Sequence, residues 1–171
     1  MMHLRITRGV KKQGGKKEAL FNKTVALGKM AFESPRDLSL GQKLQNAVLE
    51  RLVRKKVRQR FGGRLKAFVS GGAPLNPDIG LFFTALGVRI LQGYGQTESG
   101  PVLCCNVPEN VKMNGSGPIF PNSEVRIAED GEILIRGDLV MNGYWRDEEA
   151  TRNTIVDGWL HTGDIGLIDA D

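Results

Sequence analysis

The chain is short of several things, and each shortage narrows its role. It has only two cysteines, Cys104 and Cys105, and they are neighbours. Adjacent cysteines bridge each other only with strain. A secreted disulfide framework is therefore disfavoured and a reducing, cytoplasmic setting is expected. The pair reads as two small buried hydrophobes. There are two histidines, His3 and His161, both far from the cysteines in sequence, so no metal-ligand spacing emerges. No apolar run reaches eighteen residues, which argues against a membrane-spanning helix. Residues 1–10 alternate basic and apolar types without a signal-peptide core.

Acidic residues are nearly missing from the first third. Through Lys66 there are 18 Lys and Arg against 4 Asp and Glu; from Ala67 onward there are 6 against 15. This asymmetry suits an anionic partner for the basic third, or an acidic region of the same polypeptide packed against it. Aromatics are scarce there too, only Phe21, Phe32 and Phe61, and no groove-reading motif is present. Nucleic-acid binding by phosphate neutralisation alone is thus the weaker reading. A solvated basic face, or a surface near anionic lipid or coenzyme phosphates, is the stronger one. It carries the expectation of peripheral association with the inner face of the membrane.

What is present is glycine, 22 residues of it, too much for a helix bundle. The fold class expected is mixed α/β. Residues 1–64 form a basic helical segment, 65–112 an α/β portion, and 113–171 a small antiparallel, β-barrel-like subdomain. The spacing predicts a helix over Lys16–Glu33, with Leu20, Thr24, Leu27, Ala31 and Phe21, Val25, Gly28, Phe32 on its apolar face. It ends at Ser34, ahead of Pro35. A second helix is predicted over Leu40–Arg60, its apolar side formed by Leu44, Val48, Leu52 and Val53, Val57, Phe61, with arginines filling much of the rest. Gly62-Gly63 stops it. Strands are predicted over Leu65–Val69 and Val88–Leu91. The helix between them is capped by Asn76, opened by Pro77 and closed at Gly87. This is a βαβ unit, whose strands should run parallel. Glu124–Ala128, the turn Asp130-Gly131 and Glu132–Arg136 read as a hairpin. One more helix is predicted over Asp147–Ile155.

Two glycine loops follow the two strands of the βαβ unit. They are Ser70-Gly71-Gly72-Ala73 and Gly93-Tyr94-Gly95-Gln96-Thr97-Glu98-Ser99-Gly100. Open α/β sheets bind ligands outside the carboxyl ends of their strands. Tyr94 offers a flat face for a base, Thr97 a hydroxyl and Glu98 a carboxylate suited to Mg²⁺ shared with phosphates. From spacing alone, a glycine-rich turn with incidental polar residues fits equally well. In Asp157-Gly158-Trp159-Leu160-His161-Thr162-Gly163-Asp164, Asp164 reads first as a turn aspartate bonding its own backbone. Beside a nucleotide it would instead take ribose hydroxyls. His161, without a partner at ligand or triad spacing, reads as structural. The glycines and lysines at positions 9–17 do not make a phosphate-binding P-loop, since an extra glycine intervenes before the lysines, no hydroxyl follows them and no hydrophobic strand precedes them.

Five motifs occur in order: Ser70-Gly71-Gly72-Ala73-Pro74-Leu75, Gly93-Tyr94-Gly95-Gln96-Thr97-Glu98, Gly131-Glu132-Ile133-Leu134, Gly143-Tyr144, and Gly158-Trp159-Leu160-His161-Thr162-Gly163-Asp164. Together they resemble the adenylate-forming superfamily, and most closely its bacterial long-chain fatty acyl-CoA ligases. The resemblance runs from about Leu65 to the end of the chain. It implies an ATP-dependent ligase that joins a carboxylate to AMP and then to coenzyme A, with ATP, Mg²⁺ and coenzyme A as cofactors or co-substrates. A fatty acid is the implied acid; an aryl or amino acid is the alternative within the family. The resemblance also implies roles. Tyr94 stacks on adenine, with Gly71, Gly72 and Ala73 lining the adenine and acyl pocket. Thr97 contacts phosphate and Glu98 binds Mg²⁺, which makes this pair the implied catalytic residues. Asp164 holds the ribose. Gly95, Gln96 and Gly100 border the acyl carboxylate, and Gly93, Gly95 and Gln96 count among the implied cofactor-binding residues. Asn122 stands where the family has glycine after Pro121, a mild change if the backbone there is left-handed. The family's phosphate loop and its late catalytic lysine have no counterpart in these residues. The chain is therefore expected to be the middle of a longer enzyme, partnered by the remainder of its own polypeptide and inactive alone.

Overall fold

The computed structural model describes residues 2–170. The chain forms two compact units. One comprises the helical segments through Val69 together with Leu75–Ile90, and the other comprises Ser70–Pro74 and everything from Leu91 on.

The first unit opens with α1 (Met2–Gln13), within the segment expected to be helical. Ile6 and Val10 join the core, and His3 meets Phe82 edge-on with centroids 4.4 Å apart. α2 (Gly15–Glu33) falls where its periodicity placed it and ends at Ser34. It buries Phe21, Thr24, Leu27 and Gly28. The third helical stretch departs from expectation. It is α3 (Leu40–Leu49), a π-helical turn over Glu50–Arg54, and α4 (Lys55–Arg60). Ser39 opens it with a capping box shared with Gln42. Its predicted apolar side is half right. Val53, Val57 and Phe61 pack against the core formed by Phe21, Phe82, Phe83, Leu86, Val88 and Ile90. Leu44, Val48 and Leu52 do not: they are 70%, 48% and 47% exposed. The buried face of this stretch also carries an arginine. The π turn puts Arg54 inside, where Nε donates to the Ala85 carbonyl (2.6 Å) and Nη2 to Asn46 Oδ1 (2.7 Å).

β1 (Phe68–Ser70), α5 (Pro77–Ala85) and β2 (Ile90–Tyr94) follow in the predicted order, with each strand starting two or three residues later than expected. β1 and β2 are neighbours in a three-stranded sheet, and the Phe68 N–H donates to the Arg89 carbonyl (2.9 Å). The α5 cap is as predicted: Asn76 Oδ1 accepts from the N–H groups of Asp78 and Ile79. Gly87 takes φ +76 just past the helix, the left-handed stop that glycine adopts most readily. Replacing Asn76 by alanine should lower the unfolding free energy by about 1 kcal/mol, the usual worth of an N-cap; urea denaturation followed by far-UV circular dichroism measures it.

The second unit is built on an open antiparallel sheet in the order β4 (Ser123–Ile127), β5 (Glu132–Gly137), β7 (Trp159–Ile165), β6 (Ile155–Val156). Among the described residues this sheet does not close into a barrel. The β4–β5 hairpin pairs Ile127 with Ile133 and Ser123 with Gly137, around the turn at Gly131. Leu103, Ile135 and Leu160 form the core, with Tyr94, Val125, Val140 and Ile155 packed on it. β3 (Cys104–Cys105) pairs antiparallel with β2. Cys104 is buried, Cys105 is partly so, and both are free. Burial pushes the Cys104 thiol up. α6 (Glu148–Thr154) carries Asp147 as its N-cap, its carboxylate accepting from the Ala150 N–H. Asn122 takes φ +65, the left-handed geometry that makes it a tolerable stand-in for glycine.

Candidate functional site

The candidate residues lie in the second unit, which includes Ser70–Pro74 and all of 91–164. Tyr94 ends β2, and its ring packs on the Leu103, Ile135, Leu160 core. Its backbone carbonyl accepts from the Leu103 N–H (2.8 Å), which ties the strand end to the following segment. Its hydroxyl donates to Asp164 Oδ2 at 2.7 Å, across seventy residues of sequence. Burial, and then the hydrogen bond to Asp164, push the Tyr94 phenol well above its usual range, so it stays a donor at any physiological pH. Asp164 is therefore not a turn aspartate serving its own backbone. Its carboxylate is exposed and faces the edge of an aromatic ring.

Asp164 sits where it does because β7 is irregular. Leu134 pairs with His161 and Glu132 with Ile165, so two steps along β5 face four along β7. Thr162, Gly163 and Asp164 form the bulge. Bulges re-aim side chains, at the cost of unpaired backbone groups. Side chains meet that need here. Glu132 Oε1 accepts from the Gly163 N–H (2.7 Å), and Thr162 Oγ1 accepts from the Asp164 N–H (3.1 Å). Thr162 Oγ1 in turn donates to the Ile133 carbonyl (2.7 Å). Glu132 Oε2 lies 2.8 Å from His161 Nδ1. His161 thus has the partner that the sequence did not show. Gly163 takes φ +70 in the bulge.

The second carboxylate, Glu98, lies in a 3₁₀ turn over Thr97–Ser99. Ser99 is fully buried; its hydroxyl donates to the Gln96 carbonyl (3.2 Å) and accepts from the Gln96 N–H (3.1 Å). The Glu98 carbonyl accepts from the Met141 N–H (2.9 Å), and Glu98 Oε1 accepts from the Tyr144 hydroxyl (2.8 Å). That bond to Glu98 pushes the Tyr144 phenol up. Thr97 is exposed. Both tyrosines of the chain thus donate to the two candidate carboxylates. Among the described residues no three Asp, Glu, His or Cys side chains group to hold a metal ion. Glu98 alone is a fit partner for a magnesium ion that arrives with phosphates and keeps its own waters, not for a protein-built cage.

The glycines behave differently from each other. Gly71 and Gly72 are exposed, and the Gly71 Cα approaches so that a Cβ there would lie 3.6 Å from the Gly93 carbonyl. The two glycine loops therefore adjoin. Gly72 takes φ +76 with open space around it. Ala73 is exposed. Gly93 and Gly95 are small for an internal reason. A Cβ on Gly93 would lie 2.9 Å from the Cys104 carbonyl, and one on Gly95 would lie 2.8 Å from Leu103 N and closer still to the Pro101 carbonyl. At these two positions the chain itself fills the space that a side chain would need. Glu132 and the Tyr144 hydroxyl were not singled out from the sequence, although both lie in motifs that were.

Residues 39–145 match the family model described as AMP-binding enzyme. A long-chain-fatty-acid–CoA ligase of Mycobacterium bovis, FadD15, is 42% identical over 127 residues, covering 74% of this chain and 21% of that protein. Long chain acyl-CoA synthetase 6 of Arabidopsis thaliana, described as peroxisomal, is 35% identical over 179 aligned positions, covering 95% of this chain and 24% of that protein. Among solved structures, apo MatB from Rhodopseudomonas palustris superposes with a TM-score of 0.59 at 28% identity, over 76% of this chain and 27% of that one. The anthranilate CoA ligase AuaEII, solved with anthranoyl-AMP, gives 0.55 at 27% identity, over 60% of this chain and 22% of that one. The chain spans about a quarter or less of the length of these relatives. With the family model covering more than half of its residues, including both glycine loops and Tyr144, the chain belongs to the AMP-binding enzymes.

Proposed function

We propose that this chain supplies the adenine- and ribose-holding part of an adenylate-forming fatty acyl-CoA ligase. The observation that carries the reading is the 2.7 Å bond between Tyr94 and Asp164. It puts a flat ring beside an exposed carboxylate, the two surfaces that a nucleoside needs. In the proposed reaction the oxygen of a fatty acid carboxylate attacks the α-phosphorus of ATP, and the bond to pyrophosphate breaks. The sulfur of coenzyme A then attacks the acyl carbon and AMP leaves. Tyr94 stacks on the adenine, with Gly71, Gly72 and Ala73 alongside. Asp164 accepts from the ribose hydroxyls. Thr97 donates to a phosphate oxygen. Glu98 is the carboxylate that would hold Mg²⁺, which when bound neutralises phosphate charge. Such chemistry depends on positioning and charge more than on covalent help from protein groups. The names of the relatives, long-chain fatty acid ligases and acyl-CoA synthetases, support the choice of acid.

The test is AMP binding followed by NMR in the D164A variant. Loss of hydrogen bonds to a charged acceptor costs about 1.5–3 kcal/mol, so affinity should fall between roughly tenfold and a hundredfold. Equal affinity in D164A and the parent chain sinks the reading.

A further inference from the structure

We propose that Glu132 is a positioning residue for Asp164. Four observations converge on it, all within the second unit. The β7 bulge lifts Gly163 and Asp164 out of the regular ladder. The Glu132 carboxylate closes the gap from the opposite strand, one oxygen on the Gly163 N–H and the other on His161 Nδ1. The Glu132 side chain is 17% exposed, so the clamp is largely shielded from competing water. Asp164 follows directly and receives the Tyr94 hydroxyl. A two-point grip on the residues just before Asp164 sets its direction, as supporting groups do for ligands in other sites. The inference rests on Asp164 as the ribose carboxylate only for its functional meaning; its structural content stands alone.

The chemistry of the grip makes a conservative substitution informative. In E132Q the amide oxygen can still accept from the Gly163 N–H. The amide NH₂ then faces His161 Nδ1, which accepts when the imidazole proton resides on Nε2. E132Q should therefore keep the arrangement, and E132A should lose it. E132D withdraws the carboxylate by one methylene and serves if E132A does not fold.

The experiment labels the two tyrosines with ¹³C at Cζ in the whole 171-residue chain and records spectra without ligand. D164A identifies the signal of Tyr94 relieved of its acceptor. E132A, or E132D in its place, should shift the Tyr94 signal toward the D164A position and leave that of Tyr144 unmoved; E132Q should match the parent. A Tyr94 signal unchanged in both E132A and E132D overturns the proposal, as does an E132Q spectrum no different from that of E132A. A second arm titrates AMP and 2′,3′-dideoxy-AMP. E132A should weaken AMP by about tenfold, the scale of one hydrogen bond to a charged group, and leave the dideoxy nucleotide unaffected. Equal weakening of both nucleotides in E132A overturns positioning of the ribose carboxylate. If D164A itself fails to distinguish the two nucleotides, the ribose assignment falls, and the tyrosine spectra still decide whether Glu132 holds Asp164.

Discussion

Replacing Gly95 by alanine should cost about 3 kcal/mol, the upper end of what one added methyl costs in a packed site. The reason is the identity of the atoms in the way. The Pro101 carbonyl and Leu103 N are backbone, and the Leu103 N–H is already committed to the Tyr94 carbonyl. No side-chain rotation relieves such a contact, so the loop must part from β2. Gly72 provides the comparison. It takes φ +76, but a Cβ there meets nothing within 4 Å. Alanine at that position incurs only the left-handed penalty, about 1–2 kcal/mol. The expected order is therefore G95A well below G72A, with G72A below the parent. Urea denaturation read by tryptophan fluorescence measures it, since Trp145 and Trp159 both lie in the second unit. G95A should also weaken AMP in excess of its effect on folding, because it displaces the strand end that carries Tyr94. A G95A midpoint equal to that of G72A would show that the crowding is relieved at no cost and would remove the packing argument for this glycine.

Much of this was legible in the sequence, for local reasons. α5 could be read because its cap, its first-turn proline and its stop glycine lie within about a dozen residues. The β4–β5 hairpin could be read because alternation and a turn glycine are local signals. The candidate carboxylates Glu98 and Asp164 stood out through their glycine neighbours. What was not legible depended on partners distant in sequence. The β7 bulge is invisible from β7 itself, because its hydrogen bonds are completed by Glu132, some thirty residues upstream. His161 looked solitary for the same reason. The stripe of Leu44, Val48 and Leu52 looked like a core face because periodicity counts apolar residues without asking what the other face could bury. The close approach of Pro101, Leu103 and Cys104 to Gly93 and Gly95 was equally hidden, because those partners lie on the chain that returns past β2.

Arg54 lies on the buried face of the α3–α4 stretch, and removing its side chain should lower the stability of the first unit measurably. Only 6% of it is exposed. Its guanidinium donates to the carbonyls of Thr24 in α2 (3.4 Å), Asn46 in α3 (3.2 Å) and Ala85 at the end of α5 (2.6 Å), and to the Asn46 side chain. Ala85 is the last residue of α5, where the intrahelical ladder leaves carbonyls without donors and a positive charge is favoured. Arg54 is thus a cap delivered from 31 residues away. The same point explains Gly28: a Cβ there would lie 2.6 Å from the Ala85 carbonyl, so α2 and α5 approach closely enough for one guanidinium to reach both. Burial lowers the Arg54 pKa and Glu50 opposes that shift, so the ion is desolvated but partnered. Truncation to alanine strands these neutral acceptors, and a buried acceptor left unpaired costs about 1–3 kcal/mol. The far-UV circular dichroism midpoint in urea should fall accordingly. R54K keeps the charge but presents no planar fork, so it should recover only part of the loss. A loss under about 1 kcal/mol in R54A would place Arg54 among surface ion pairs and remove the argument for it as a buried cap of α5.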